Sequence, residues 1–179
     1  MVDVSIFETE HFIFRIINAD DYGLYYKLIL DEPVVQWIFR EDMEEKLRKD
    51  MLDAMMSFYW SPLIEGKERE TYTIFLKDTT EFVGEICLYL NENSRPEMGI
   101  SILKDYRGQG MGKAIIKEWC TWIANNKNVK QLDIHIDEDN VASIKCVEGL
   151  GAEYIGNDGS RYYCLKIPIF RYRDAREGV

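Results

Sequence analysis

The sequence predicts an α/β domain folded around one mixed sheet, and three observations carry that expectation. Short β-branched and aromatic runs alternate with longer stretches of helical periodicity, in the order βααβββαβαββ. The composition, 46% hydrophobic and 13% aromatic over 179 residues, can fill the core of one domain and excludes intrinsic disorder. No internal repeat or long linker divides the chain, so it reads as one folding unit.

The run His11 to Ile17 is β-branched and aromatic, which predicts a first strand. Asn18 or Asp20 then caps a helix carrying Tyr22, Leu24, Tyr25, Leu28 and Ile29. Pro33 interrupts that helix. A second is expected over 42–59, where Met43, Leu47, Met51, Leu52, Met55 and Phe58 recur at helical spacing. Residues 71–76, 82–90 and 98–103 read as strands, joined by short polar connections of the kind found in antiparallel hairpins. A glycine-rich turn opens a helix over 110–126, whose stripe is Ile115, Trp119, Trp122 and Ile123, widened by Ile116 and Cys120. A strand at 131–136, a helix at 140–150 ended by Gly151, and strands at 153–155 and 161–169 complete the order. The last two meet at the turn Asn157-Asp158-Gly159-Ser160, and the tail from Arg171 to Val179 is charged.

Composition excludes several function classes. With 22 Lys+Arg against 32 Asp+Glu, a formal −10, the chain has no cation excess to neutralise phosphates, so no nucleic-acid partner is expected. An acidic body favours cationic small molecules or basic peptides, or serves only solubility. No apolar run is long enough to span a bilayer, and the first residues lack a signal-peptide pattern, so a cytoplasmic chain without a membrane partner is expected. Cys87, Cys120, Cys146 and Cys164 are widely spaced inside apolar patterns, and with only His11 and His135 beside them no metal site is expected. They read as reduced, structural cysteines.

The informative segment runs from Ile100 to Lys113: a strand ends, a glycine-dense turn follows, and a helix begins. Helix N-termini expose unpaired N–H groups and partial positive charge, and glycines let an anion approach them. A P-loop is excluded, because Arg107 stands where its first glycine belongs and Ala114 where Ser or Thr belongs. A dinucleotide fingerprint fails as well, since Gly108-x-Gly110 leads to Lys113 and Gly110-x-Gly112 leads to Ile115. What remains is Arg107-x-x-Gly110-x-Gly112 at a strand-to-helix junction. Arg107 either shapes this loop or pairs with a carboxylate. Asn140, starting the later helix, is a good N-cap whatever else it does, and Ser143 lies in its first turn.

The Arg107-x-x-Gly110-x-Gly112 pattern resembles the signature Arg/Gln-x-x-Gly-x-Gly/Ala of the GNAT N-acetyltransferase superfamily, which holds the pyrophosphate of acetyl-CoA there. Asn140 to Gly151 resembles the N-x-x-S…E-x-x-G helix of the branch containing ribosomal-protein N-terminal acetyltransferases, although Ala152 stands where that branch carries an aromatic residue. The resemblance implies a GNAT-like domain over 8–170, its sheet mixed but mostly antiparallel with helices on both faces, followed by the tail 171–179. It implies acetyl-CoA as co-substrate, with no metal. Ile102 and Leu103 match the strand beside the thioester. Arg107, Gly108, Gln109, Gly110, Met111, Gly112 and Lys113 match the diphosphate loop, with Asn140 and Lys145 on the later helix.

The activity implied is N-acetyl transfer to a primary amine by direct attack within a ternary complex. A backbone N–H near residues 102–103 would then stabilise the developing oxyanion. An alkylammonium must lose a proton before it attacks. Glu97, opening the fourth strand of the family pattern, is the first candidate base. Glu85, a carboxylate inside an apolar strand, is the second, and either also reads as a cross-strand charge. Ser143 matches the residue that hydrogen-bonds the departing thiolate. Trp37, Phe39, Tyr59 and Trp60 are candidate walls of the acceptor pocket, suited to a cationic amine. The acceptor expected is an amine-bearing small molecule or a peptide N-terminus, taken up by a monomer or homodimer. A non-catalytic acyl-CoA sensor of the same fold is the alternative.

Overall fold

A computed structural model of the chain describes residues 6–31, 44–60, 63–64, 67–157 and 159–167. The chain divides into two compact units, Met1–Gly112 and Lys113–Val179. In the first, β1 (Ile6–Glu8) and β2 (Phe12–Ile16) precede a 3-10 turn (Ala19–Asp21), α1 (Tyr22–Leu30) and α2 (Glu45–Trp60). β3 (Leu63–Ile64), β4 (Lys67–Leu76), β5 (Phe82–Leu90) and β6 (Pro96–Ile102) come next, then a 3-10 turn (Lys104–Tyr106). These strands pair antiparallel in the order β1-β2-β4-β5-β6, with β3 on β4.

The α3 helix (Met111–Lys127) starts at the end of the first unit and runs into the second. Beyond it lie β7 (Gln131–Ile136), α4 (Val141–Glu148), β8 (Glu153–Asn157) and β9 (Arg161–Lys166). The second unit's strands pair antiparallel in the order β7-β9-β8. The α/β class expected from the sequence is the class found, with two strands added. β1 and β3 span three and two residues, too short to display a period. β4 begins before the expected Thr71 because its charged start is recruited by pairing, Arg69 opposite Tyr89 and Glu70 opposite Leu88.

Strand alternation gives the first unit's sheet two different faces. Phe14, Tyr72, Ile74 and Ile86 share one face with Met98, all at most 3% exposed, and Phe7 stacks on Phe14 with ring centroids 4.8 Å apart. The opposite face carries polar rows: Arg15, Thr73, Glu85 and Ser101 in one, Thr71, Cys87 and Gly99 in the next, Arg69, Tyr89 and Glu97 in the third. Tyr25, Leu28 and Ile29 of α1 are fully buried, and the 3-10 turn before the helix is held by polar contacts. Arg15 pairs with Asp21, and Thr73 donates to the same carboxylate at 3.2 Å. Asn18 and Asp21 form a reciprocal capping box before the helix, as the N-cap reading of Asn18 anticipates.

In the second unit, Ile115, Trp119 and Ile123 of α3 are fully buried with Ile116 and Cys120 at the margin of the stripe. Trp122 is only half-buried and lies under the Lys127 ammonium, 5.9 Å from its ring centroid. The Tyr163 hydroxyl donates to Glu148 Oε1 at 2.9 Å, tying α4 to β9. β8 is the edge of its sheet and bulges at Ile155, between the pairs Tyr154 with Tyr163 and Gly156 with Tyr162, a device that twists an edge away from foreign strands.

Gly84 sets the spacing of β5 and β6. A Cβ there would stand 2.1 Å from the Ser101 carbonyl oxygen and 2.9 Å from Ile102 Cα, both backbone atoms that cannot rotate away. Gly84→Ala is therefore expected to cost about 1–3 kcal/mol, read as a lower denaturant midpoint. An unchanged midpoint would show that the two strands separate there without penalty.

Candidate active site

The segment joining β6 to α3 is a strand end, a 3-10 turn and a reverse turn, and Arg107, Gly108, Gln109 and Gly110 are all exposed to a large degree. Gly108 and Gly110 hold φ of +75° and +80°, a region that L side chains rarely adopt. A Cβ at either position would meet nothing within 4 Å. Backbone conformation, not crowding, thus demands glycine, and the space in front of the turn is open. Met111 and Gly112 open α3, whose first turn carries Lys113 and no acid. The orphan N–H groups of that turn thus face no competing carboxylate from the helix itself.

Arg107 follows the first of the two readings and shapes the loop through a main-chain contact. Its Nε donates to the Ile102 carbonyl oxygen at 2.6 Å, clamping the turn onto the end of β6, while its backbone N–H bonds the Lys104 carbonyl oxygen at 3.1 Å. Gln109 Nε2 likewise donates to the Asp105 carbonyl oxygen at 2.7 Å. Both long side chains brace the loop through its own carbonyl groups. Asp31, at the C-terminal end of α1, accepts the Lys104 N–H at 2.8 Å. An acid at a helix C-terminus opposes the dipole, and this bond to the loop gives it a reason to be there. The sequence offers no signal for it.

The strand expected to meet the thioester is narrowed by its hydrogen bonds. The Leu103 N–H donates to the Val83 carbonyl oxygen at 2.9 Å, so the Leu103 amide is committed to β5. Antiparallel pairing alternates, so Ile102, opposite Gly84, directs its N–H and C=O away from β5.

Glu85 and Glu97 leave the same sheet face, at 2% and 6% exposure. Their cross-strand partners differ. Glu85 lies with both carboxylate oxygens 3.4 Å from Arg69 Nη2, a pair almost wholly out of water. Glu97 Oε1 accepts a hydrogen bond from the Tyr89 hydroxyl at 2.7 Å. Around them, burial pushes the Cys87 thiol up to about 12, helped by the Glu85 charge, so Cys87 is no nucleophile. Burial and the same carboxylate raise the Tyr25 phenol. Arg69 and Tyr89 escape sequence reasoning because their role depends on strand register; only the alternation Glu85, Cys87, Tyr89 hints at a shared face.

On α4, Asn140 acts as N-cap, its Oδ1 accepting the Ser143 N–H at 3.1 Å. Ser143 is half-buried and Lys145 exposed. Lys113 Nζ reaches the far end of the same helix: it lies 3.1 Å from where a Cβ on Gly149 would stand, where the helix dipole favours a cation. Of the expected acceptor walls, Trp37 and Phe39 lie outside the described residues. Tyr59 and Trp60 sit in the last turn of α2, and their side chains are also outside the described set.

Residues 11–153 match the family model of the acetyltransferase (GNAT) domain. The chain belongs to the GNAT acetyltransferase family. Solved structures agree on the fold. A domain from Methanocaldococcus jannaschii DSM 2661 is 22% identical at a TM-score of 0.62, covering 89% of this chain and 99% of its own. A Vibrio cholerae protein described as a candidate ribosomal-protein-serine acetyltransferase is 18% identical at 0.62, covering 93% and 99%. A spermidine N-acetyltransferase chimera of V. cholerae and hSSAT sequence is 13% identical at 0.62, covering 87% and 95%. No curated protein matches this sequence. The fold thus sits among acetyltransferases named for unlike acceptors, and the ribosomal-protein branch is not singled out. Among the described residues no helix is long and apolar enough to cross a membrane.

The buried ion pair separates the two carboxylates by experiment. Glu85→Gln leaves the Arg69 guanidinium without that counter-charge and is expected to cost about 3–5 kcal/mol in urea unfolding. Stability within about 0.5 kcal/mol of the parent would dissolve the structural assignment and return Glu85 to the candidates for catalytic base.

Proposed function

We propose that this GNAT protein transfers the acetyl group of acetyl-CoA to a primary amine by direct attack, with both substrates bound together. The observation that carries the reading is the turn before α3: two glycines at positive φ, open space in front of them, side chains folded back, and a helix start free of acids. The diphosphate of acetyl-CoA fits this arrangement, since backbone N–H groups of Gly108 to Lys113 supply donors and the helix end supplies partial positive charge. Acetyl-CoA itself brings the activated acyl group as a thioester.

The chain's own residues supply the remainder. The Ile102 N–H, turned away from β5, is the donor this reading assigns to the reacting carbonyl oxygen, and such preorganised donors are commonly the largest catalytic contribution. Glu97 takes the proton of the incoming ammonium, freeing the nitrogen lone pair for attack. Ser143 offers a hydroxyl to the departing thiolate. Lys145, exposed on α4, is a cation for the nucleotide, whereas Lys113 contributes its backbone N–H, its ammonium lying beside Gly149. Tethering at the loop converts the encounter into an oriented, effectively unimolecular step. The acceptor is a cationic amine, a class in keeping with the formal −10 charge.

Two experiments test this. Gly110→Glu adds a carboxylate to the anion site and an L side chain at a φ of +80°; acetyl-CoA affinity measured by calorimetry is expected to fall at least about tenfold. Undiminished affinity would place the diphosphate elsewhere. Second, CoA thiol release against a panel of polyamines, aminoglycosides, amino acids and peptide N-termini is expected to rise with at least one member. Tight acetyl-CoA binding with no turnover on any amine would favour the sensor instead.

A further inference from the structure

Tyr89 and Glu97 stand directly opposite one another on β5 and β6, so their side chains leave the sheet together. The Tyr89 hydroxyl donates to Glu97 Oε1 at 2.7 Å, a short, charge-assisted bond in a half-buried setting. An ionised carboxylate only accepts hydrogen bonds, and a phenol has one proton to give. We propose that Tyr89 is a positioning residue for the proton acceptor of the reaction: its hydroxyl fixes the orientation of the Glu97 carboxyl. The proposal deepens, and rests on, the reading of Glu97 as base.

Three features of the face support it. Burial, the hydrogen bond to Glu97 and the Glu97 charge, in that order, raise the Tyr89 phenol, so it keeps its proton and remains a donor throughout the working range. The direct cross-strand partner of Glu97 is this neutral phenol, whereas the neighbouring Glu85 is matched by the Arg69 guanidinium at 3.4 Å. The other titratable groups on or against this face among the described residues are Arg15, Arg69, Glu85 and Cys87 of the strands, with Asp21 and Tyr25 packed over them. Arg69 stays charged at any working pH. Burial pushes Cys87 up to about 12 and raises Tyr25.

The sign of the effect comes from the bond itself. Removing a donor from a carboxylate weakens its ionised form, so its pKa rises and the acid limb of the rate profile moves to higher pH. Tyr89→Phe deletes one oxygen and keeps the ring. The Glu97 carboxyl, followed by carbon-13 NMR in protein labelled at glutamate and assigned by its loss in Glu97→Gln, is expected to titrate about one pH unit higher in Tyr89→Phe. This readout needs no acceptor. The acid limb of kcat/KM on the best amine is expected to move by the same amount, with acetyl-CoA affinity unchanged. An unmoved carboxyl titration overturns the role of Tyr89 and leaves the base reading intact. A Glu97→Gln enzyme that keeps the parent acid limb removes Glu97 as base, and Tyr89's part in the reaction falls with it.

Discussion

The turn between β6 and α3 exists because two residues accept a backbone region closed to side chains. Gly108 and Gly110, at φ of +75° and +80°, bend the chain from the last residues of β6 into the first turn of a long helix. Arg107 and Gln109 spend their side chains on main-chain carbonyl groups, at Ile102 and Asp105, which braces the turn. The proposed anion site, made of main-chain N–H groups, would therefore be a consequence of local conformation. It needs no basic cluster, and a strongly acidic protein can carry it.

The sheet imposes a second constraint, this one on the polar groups of β4, β5 and β6. One face of β4, β5 and β6 is ordinary apolar core, and the other is a set of polar rows largely removed from water. Polar groups buried this way must satisfy one another or destabilise the fold. Arg69 answers Glu85, Tyr89 answers Glu97, and Asp21 gathers Arg15 and Thr73 beneath α1. The two carboxylates that look alike in sequence thus separate by their cross-strand partners: one faces a guanidinium, the other a neutral donor.

Much of this architecture is legible in the sequence. The strands at 82–90 and 131–136 show their observed limits there, because their β-branched and apolar runs are bounded by polar turns. The loop is legible because glycine spacing reports backbone conformation almost directly. The short strands β1 and β3 are not, since two or three residues carry no period. Nor are Tyr89, Arg69 and Asp31: their importance depends on register and on contacts across 73 positions in the case of Asp31 and Lys104, which a one-dimensional pattern does not encode. The acceptor side is least legible, because aromatic residues such as Trp37 and Phe39 announce a pocket or a core equally well.

The most direct examination of the anion site is an amide NMR titration of the isotopically labelled protein with acetyl-CoA. The largest shifts are expected at the N–H groups of Gly108 to Lys113, and they should be lost when S-acetylpantetheine, which lacks the diphosphate, replaces the full molecule. Saturation by acetyl-CoA with those amides unmoved would contradict the proposed site at its foundation.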